Sequence, residues 1–195
     1  MKPATTDAKR GLYERLVGAA WGQLPEPVRR LHPAGSAVRG AGRFDVRRGR
    51  SLTARLLARV ARLPAEGRGV PVVLTVEPEG AGRERWHRDF EGRPFITHQR
   101  EHPRGHLADR AGAVEMYFRM ETDAGALVYR QAGVALRLGP LRIRLPGALA
   151  PRIEAREWAE PGDARVCVSV SVSAPLVGLL VNYEGRLGLE GDAAP

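Results

Sequence analysis

Cysteine is almost missing from this 195-residue chain, where Cys167 stands alone. One thiol closes no internal disulfide and builds no cysteine-based structural zinc site. Within Val166-Cys167-Val168 it reads as a small buried or half-buried filler, with no neighbouring base to mark it as reactive. Long apolar runs are missing too. The longest, Ala174 to Val181, falls far short of the roughly 20 residues a membrane-spanning helix needs. Met1 to Arg10 holds no apolar stretch of the kind that opens a secretory signal, so no signal peptide and a cytoplasmic location are expected. Lysine is scarce: of 31 basic side chains, all but Lys2 and Lys9 are arginine.

Gly 23 and Pro 15 are high, and they are scattered between short apolar runs, which is how turn-rich β structure reads. An apolar fraction of 43% and a charged fraction of 27% are ordinary for a globular protein. The length suits one well-buried core, so the chain is expected to be one domain over 1–195, with 1–10 and 190–195 flexible. The net charge of +9 is uneven. Residues 1–50 hold 11 basic and 4 acidic side chains, residues 51–110 hold 11 and 8, and residues 111–195 hold 9 and 10. The excess sits in the first quarter. No nucleic-acid recognition motif accompanies it, so nucleic acid is not expected as a partner.

Hydrophobic period divides the chain. Leu12 to Trp21 reads as a helix; Pro25 and Pro27 interrupt it and reopen a short turn at Glu26–Leu31. Ser51 is a candidate N-cap for a second helix over about 51–63, where Leu52, Leu56, Leu57, Val60 and Leu63 form an apolar stripe and Arg55, Arg59 and Arg62 face away. From residue 70 to 189 the period is two, with Val72, Leu74 and Val76 and then Met116, Phe118 and Met120 alternating with other residues. The expected fold is mainly β (α+β): an antiparallel up-and-down meander of eight or nine strands, curled into a barrel or half-barrel, with two N-terminal helices packed on a face or plugging one end.

The chain resembles the bacterial domain-of-unknown-function family 4166 (DUF4166). The likeness rests on Leu12-Tyr13-Glu14-Arg15-Leu16 with Trp21, on Gly42-Arg43-Phe44-Asp45-Val46, and on Glu84-Arg85-Trp86 with Arg88-Asp89-Phe90 and Gly92-Arg93-Pro94-Phe95. It continues in Glu154-Ala155-Arg156-Glu157 and Leu176-Val177-Gly178-Leu179-Leu180 with Tyr183 and Gly185. The resemblance carries over no catalytic residue. Some members are fused to a saccharopine-dehydrogenase-like domain, which implies, by analogy, an accessory or ligand-handling role beside an oxidoreductase partner.

The residues that could carry chemistry are few. On a strand, Trp86, Arg88 and Phe90 share one face, and His87 and Asp89 the other. The aromatic face should be core-facing, which sets a guanidinium between two large rings, where it needs a carboxylate or an anionic ligand. Two readings stand side by side: a polar anchor in an apolar cavity, or an Arg88–Glu154 or Arg88–Glu157 ion pair. His98, His102 and His106 with Glu101 have imidazole and carboxylate chemistry suited to zinc, but Pro103 and Gly105 break the helix that their spacing would need. They read as a polar loop, and no metal is expected. Gly40-Ala41-Gly42 lies in a strand-like stretch and is rejected as a dinucleotide fingerprint; no cofactor is expected.

The leading expectation is therefore a domain that binds a small apolar or amphipathic molecule, lined by Trp86, Arg88, Phe90, Phe95, Tyr117 and Glu154, with Asp89 and Glu157 as further polar candidates. The alternatives are an enzyme or accessory domain working with an oxidoreductase, and an interaction module that uses the basic helices.

Overall fold

The computed structural model describes residues 10–80 and 82–191; Ala81 and most of the two ends expected to be flexible, 1–9 and 192–195, lie outside the described residues. The chain runs through α1 (Leu12–Val17), a 3-10 turn (Gly18–Gln23), α2 (Glu26–Leu31), β1 (Val38–Arg48), α3 (Leu52–Val60), β2 (Gly67–Pro78) and β3 (Arg83–Phe90). It continues with β4 (Arg93–His102), β5 (His106–Ala111), β6 (Val114–Asp123), β7 (Ala126–Leu138), β8 (Leu141–Arg144), β9 (Arg152–Trp158), β10 (Val166–Ala174) and β11 (Gly178–Leu189). Neighbours follow the order β6-β5-β4-β3-β2-β1-β11-β10-β9-β7, and β7 pairs back onto β6. The result is a closed antiparallel barrel of ten strands, with β8 attached to the far part of β7 as a flap.

The strand count exceeds the eight or nine expected. The segment His98 to His106, read from sequence as a polar loop, instead ends β4 and begins an extra strand, His106–Ala111, with a tight turn at Pro103–Gly105 between them. β7 serves three partners: β6 along its length, β9 only through Leu127–Tyr129, and β8 through Ala135–Leu138. Where β7 leaves β9, the Gln131 side chain donates to the Pro151 carbonyl at 2.8 Å and accepts from the Ile153 amide at 2.7 Å. One amide side chain thus satisfies backbone groups that the ladder abandons.

β1 and β11 approach closely because glycine removes the side chains between them. A Cβ on Gly42 would lie 1.8 Å from the Arg186 carbonyl oxygen, and one on Gly185 would meet the Phe44 ring at 2.5 Å. The Phe44 ring instead covers Gly185 and packs edge-on against Phe90 and Tyr183.

The two ends of the barrel differ. β4 and β6 finish at one end, and there α1, the 3-10 turn and α2 form a plug: α1 packs on β4 and β6, α2 on β9 and β10. Leu12, Tyr13, Leu24, Val28, Leu31 and His32 are buried in it. At the opposite end β1 finishes and α3 begins. Ser51 accepts a hydrogen bond from the Ala54 amide at 3.1 Å and caps α3, as its sequence position suggests. The face of α3 on the barrel is not the leucine stripe. Ala54 and Ala58 are buried against the wall formed by β1 and β11, while Leu52, Leu56 and Val60 are 82%, 62% and 74% exposed. The reason is steric: a Cβ on Gly49 would already lie 2.8 Å from the Ala54 Cβ, so only small side chains fit the seam.

Tyr13 is fully buried and bonded on two sides, so the plug makes a direct prediction. Tyr13→Phe, which keeps the ring and removes the donor, should lower the unfolding free energy by about 1–3 kcal/mol in a urea titration. Tyr13→Ala should cost about 3–5 kcal/mol. Wild-type stability in both would mean that the helices do not seal the barrel.

Candidate functional site

The strand alternation of β3 turns Glu84, Trp86, Arg88 and Phe90 into the barrel, which is the face expected from sequence. Trp86 and Phe90 are buried in the core. The Trp86 indole donates to Glu84 Oε2 at 3.0 Å. The Arg88 guanidinium stacks over the Trp86 ring at 4.8 Å and donates from Nη1 to Thr97 Oγ1 at 3.3 Å. Neither foreseen ion pair forms. Glu154 points out of the barrel, and among the described residues no carboxylate comes within 4.0 Å of Arg88. Its charge is still felt: Arg88 lowers the carboxyls of Asp109 and Glu157, although it is not the largest influence on either.

Toward the plug lies a chain of buried polar groups that the sequence did not point to. Tyr13 donates to Gln99 Oε1 at 2.6 Å; Tyr129 sits 3.2 Å from the Tyr13 hydroxyl and donates to Glu157 Oε1 at 2.7 Å. Glu157 Oε2 meets His32 Nε2 at 2.6 Å, and the His32 ring stacks on Tyr13 with centroids 3.7 Å apart. Five side chains from α1, the segment after α2, β4, β7 and β9 thus join plug to wall. Burial raises the Glu157 carboxyl, but His32, the Tyr129 hydroxyl and Arg88 outweigh it and hold it below the usual carboxylate range. Burial next to Glu157 pushes both Tyr13 and Tyr129 well above the ordinary phenol value. Glu84 and Asp109 go the other way, raised mainly by burial. Two polar atoms in this interior, His32 Nδ1 and Asp109 Oδ1, have no hydrogen-bond partner among the described residues.

Beyond Arg88, toward the α3 end, the inner wall changes character. Val166 is fully buried, yet Val168, Val170 and Val172, which follow it on the same inward face of β10, all keep accessible surface. Phe95 on β4, Met116 on β6 and Ala155 on β9 do the same. Their neighbouring strands are paired on both sides, so that surface opens into the barrel. The inward face beyond Arg88 is thus mixed: Phe44, Val46, Val72, Phe90, Val181 and Tyr183 are buried, whereas the partly accessible side chains of β4, β6, β9 and β10 outline an apolar cup on one side, near Arg88 and Asp109.

Of the residues singled out from sequence, the structure gathers Trp86, Arg88, Phe90, Phe95 and Glu157 inside the barrel. It places Tyr117, Glu154 and Asp89 elsewhere. Tyr117 alternates with the inward Met116, Phe118 and Met120 and so faces outward, where it donates to the buried Glu115 carboxylate beneath Arg142; the β-bulge beside it inserts Ala132 on β7. Glu115 also pairs with Arg100 at 2.7 Å and Arg137 at 3.6 Å, and these contacts outweigh burial and lower it; burial and Glu115 together push Tyr117 to about 12. Glu154 lines an outer cleft of about 1220 Å³ together with Arg156, Trp158, Ser169 and Ser171. Asp89 accepts from the Gly92 amide and holds the β3–β4 turn. Of the three histidines, His98 bonds Glu79, whereas His102 and His106 flank the β4–β5 turn on the Tyr117 side. Among the described residues no three His, Cys, Asp or Glu side chains converge on a metal position.

A family model matches residues 24–187, described as a domain of unknown function, DUF4166. The chain belongs to this family. No curated protein matches it. The DUF4166 match spans α2 to β11 and so includes His32, Arg88, Thr97, Asp109, Tyr129 and Glu157, while Tyr13 of the plug precedes it.

The opposite shifts of Glu157 and Asp109 give opposite pH dependences. Glu157, lowered on folding, contributes stability above its ordinary value of about 4.3 and loses it as pH falls through its folded value. Asp109, raised on folding, contributes most below about 3.9 and opposes folding once pH rises through its folded value. Asp109→Asn should therefore raise the melting temperature at pH 7, with the gain shrinking toward pH 3.5. Glu157→Gln should lower it at pH 7 and differ least at acid pH. Identical pH profiles for the two variants would contradict the assignment.

Proposed function

We propose that this DUF4166 barrel holds one small amphipathic molecule, its apolar part against Val168, Val170, Val172, Phe95 and Met116 and its polar or anionic end at Arg88 and Thr97. The observation that carries the reading is an inward arginine with no carboxylate among the described residues in contact, beside apolar side chains that keep accessible surface. A guanidinium off the bulk solvent favours an anion that brings its own acceptors, and the stacked Trp86 ring leaves its edge free to donate. The apolar walls supply the rest of the affinity, as in other barrels that enclose a single ligand.

Native mass spectrometry of the purified chain, repeated after denaturation, tests for a co-purified molecule; the expected result is a bound mass lost on unfolding. The anionic apolar probe 1-anilinonaphthalene-8-sulfonate tests the cup when none is carried along. It should bind with enhanced fluorescence, about tenfold more weakly to Arg88→Met, the loss of roughly one charge-assisted bond. Val170→Trp, which fills the cup, should abolish the signal. Unchanged binding in both variants would place the probe elsewhere and sink the reading.

A further inference from the structure

The end of the barrel opposite the plug is where the molecule exposes apolar surface. Four large side chains of α3 face solvent, with Leu57 at 41% beside Leu52, Leu56 and Val60. The antiparallel order brings two more turns to the same end. The β7–β8 turn carries Leu138 and Leu141, each 57% exposed, and the β10–β11 turn carries Leu176, which is wholly exposed. Leu176 also has φ +63°, a left-handed conformation that disfavours a branched apolar side chain, so folding alone gives no reason for leucine there. Among the described residues, no large exposed apolar side chain belongs to the helices, turns or loops of the plugged end.

The charge on the segment that carries α3 has one sign. From Arg47 to Arg62 there are six arginines and no acidic residue. Arg48 is used internally, donating to the Pro64 and Leu63 carbonyls. Among the described residues, Arg47, Arg50, Arg55, Arg59 and Arg62 make no ion pair. On the helix, Arg55 and Arg59 follow each other at four-residue spacing and flank the leucine row. The combination is an apolar ridge turned away from its own protein and bordered by unneutralised guanidinium groups. It matches a helix lying in a lipid interface, with leucines among the acyl chains and arginines at the headgroup phosphates. A nucleic acid would leave the leucines in water, and a purely apolar protein surface would leave the arginines unpaired.

We infer that this end of the barrel docks on an anionic phospholipid surface through α3, with the Leu138–Leu141 and Leu176 turns as secondary contacts. The docking uses residues distinct from the cup and stands whether or not the cup holds a ligand. It places the open end of the cup at the lipid, where an amphipathic molecule would be at hand.

Flotation of the full chain with vesicles tests it, using phosphatidylcholine alone and phosphatidylcholine with 30% phosphatidylglycerol at about 50 mM and about 500 mM salt. The wild type should float with the anionic vesicles at low salt, and lose at least tenfold in partitioning on pure phosphatidylcholine. Leu56→Asn with Val60→Asn should lose at least tenfold on the anionic vesicles; both side chains are exposed, so the melting temperature should stay at the wild-type value. Arg55→Gln with Arg59→Gln should lower partitioning and flatten its salt dependence. Arg88→Met should float like the wild type, which separates this inference from the ligand reading. Failure of the wild type to float, full flotation of the asparagine variant, or concentration-dependent self-association abolished by that variant would each overturn it, the last in favour of a second copy covering the face.

Discussion

A barrel of ten strands encloses more space than its own inward side chains can fill; about eight is the size at which side chains alone close the interior. The rest of this structure follows from that surplus. Part of it is taken up by a segment from outside the sheet, Tyr13 and His32 on the N-terminal helical stretch, which enters between β4, β7 and β9. Beyond Arg88 the rings of Phe44, Phe90 and Tyr183 fill one side, while valine, phenylalanine and methionine side chains of β4, β6 and β10 keep accessible surface on the other.

Bringing helices into a β interior also brings polar groups, which must be satisfied where water cannot reach. The Gln99–Tyr13–Tyr129–Glu157–His32 chain does this almost completely. What it leaves over is informative: among the described residues His32 Nδ1 and Asp109 Oδ1 lack partners, and Arg88 rests on a ring and a threonine hydroxyl rather than on a carboxylate. By contrast, the outer Glu115 has an excess of cations around it. Three arginines thus surround Glu115 on the outer side of the wall, whereas among the described residues the inner Arg88 meets no carboxylate within 4.0 Å, and this asymmetry motivates the ligand role proposed for it.

Much of the fold was legible in sequence because period-two alternation and turn glycines survive in any curled meander. The inward face of β3 could be read from Trp86, Arg88 and Phe90 alone. The outward place of Tyr117 was legible as well, because it alternates with Met116, Phe118 and Met120, and naming it as lining went against that alternation. Two things could not. The strand His106–Ala111 hides among histidines and an inward aspartate. The roles of Tyr13 and His32 depend on contacts 86 and 125 residues away, which no local pattern records. The stripe on α3 is a different case: its period predicted the helix correctly, yet the same stripe turned out to face solvent. Amphipathicity says that a helix has an apolar side, and packing space decides where that side goes; at Gly49 there was room only for alanine.

Whether the barrel is closed at the plug and open beyond Arg88 can be tested on a single strand. With Cys167 replaced by serine, cysteine would be introduced singly at Val166 and at Val170, two residues on the same inward face of β10, and the rate of modification by a small thiol reagent would be measured in the folded protein. The Val170→Cys thiol should react readily, while the Val166→Cys thiol should stay protected until the protein unfolds. Equal protection at both positions would mean a filled barrel with no cup, and equal reactivity would mean that the helical plug does not close its end.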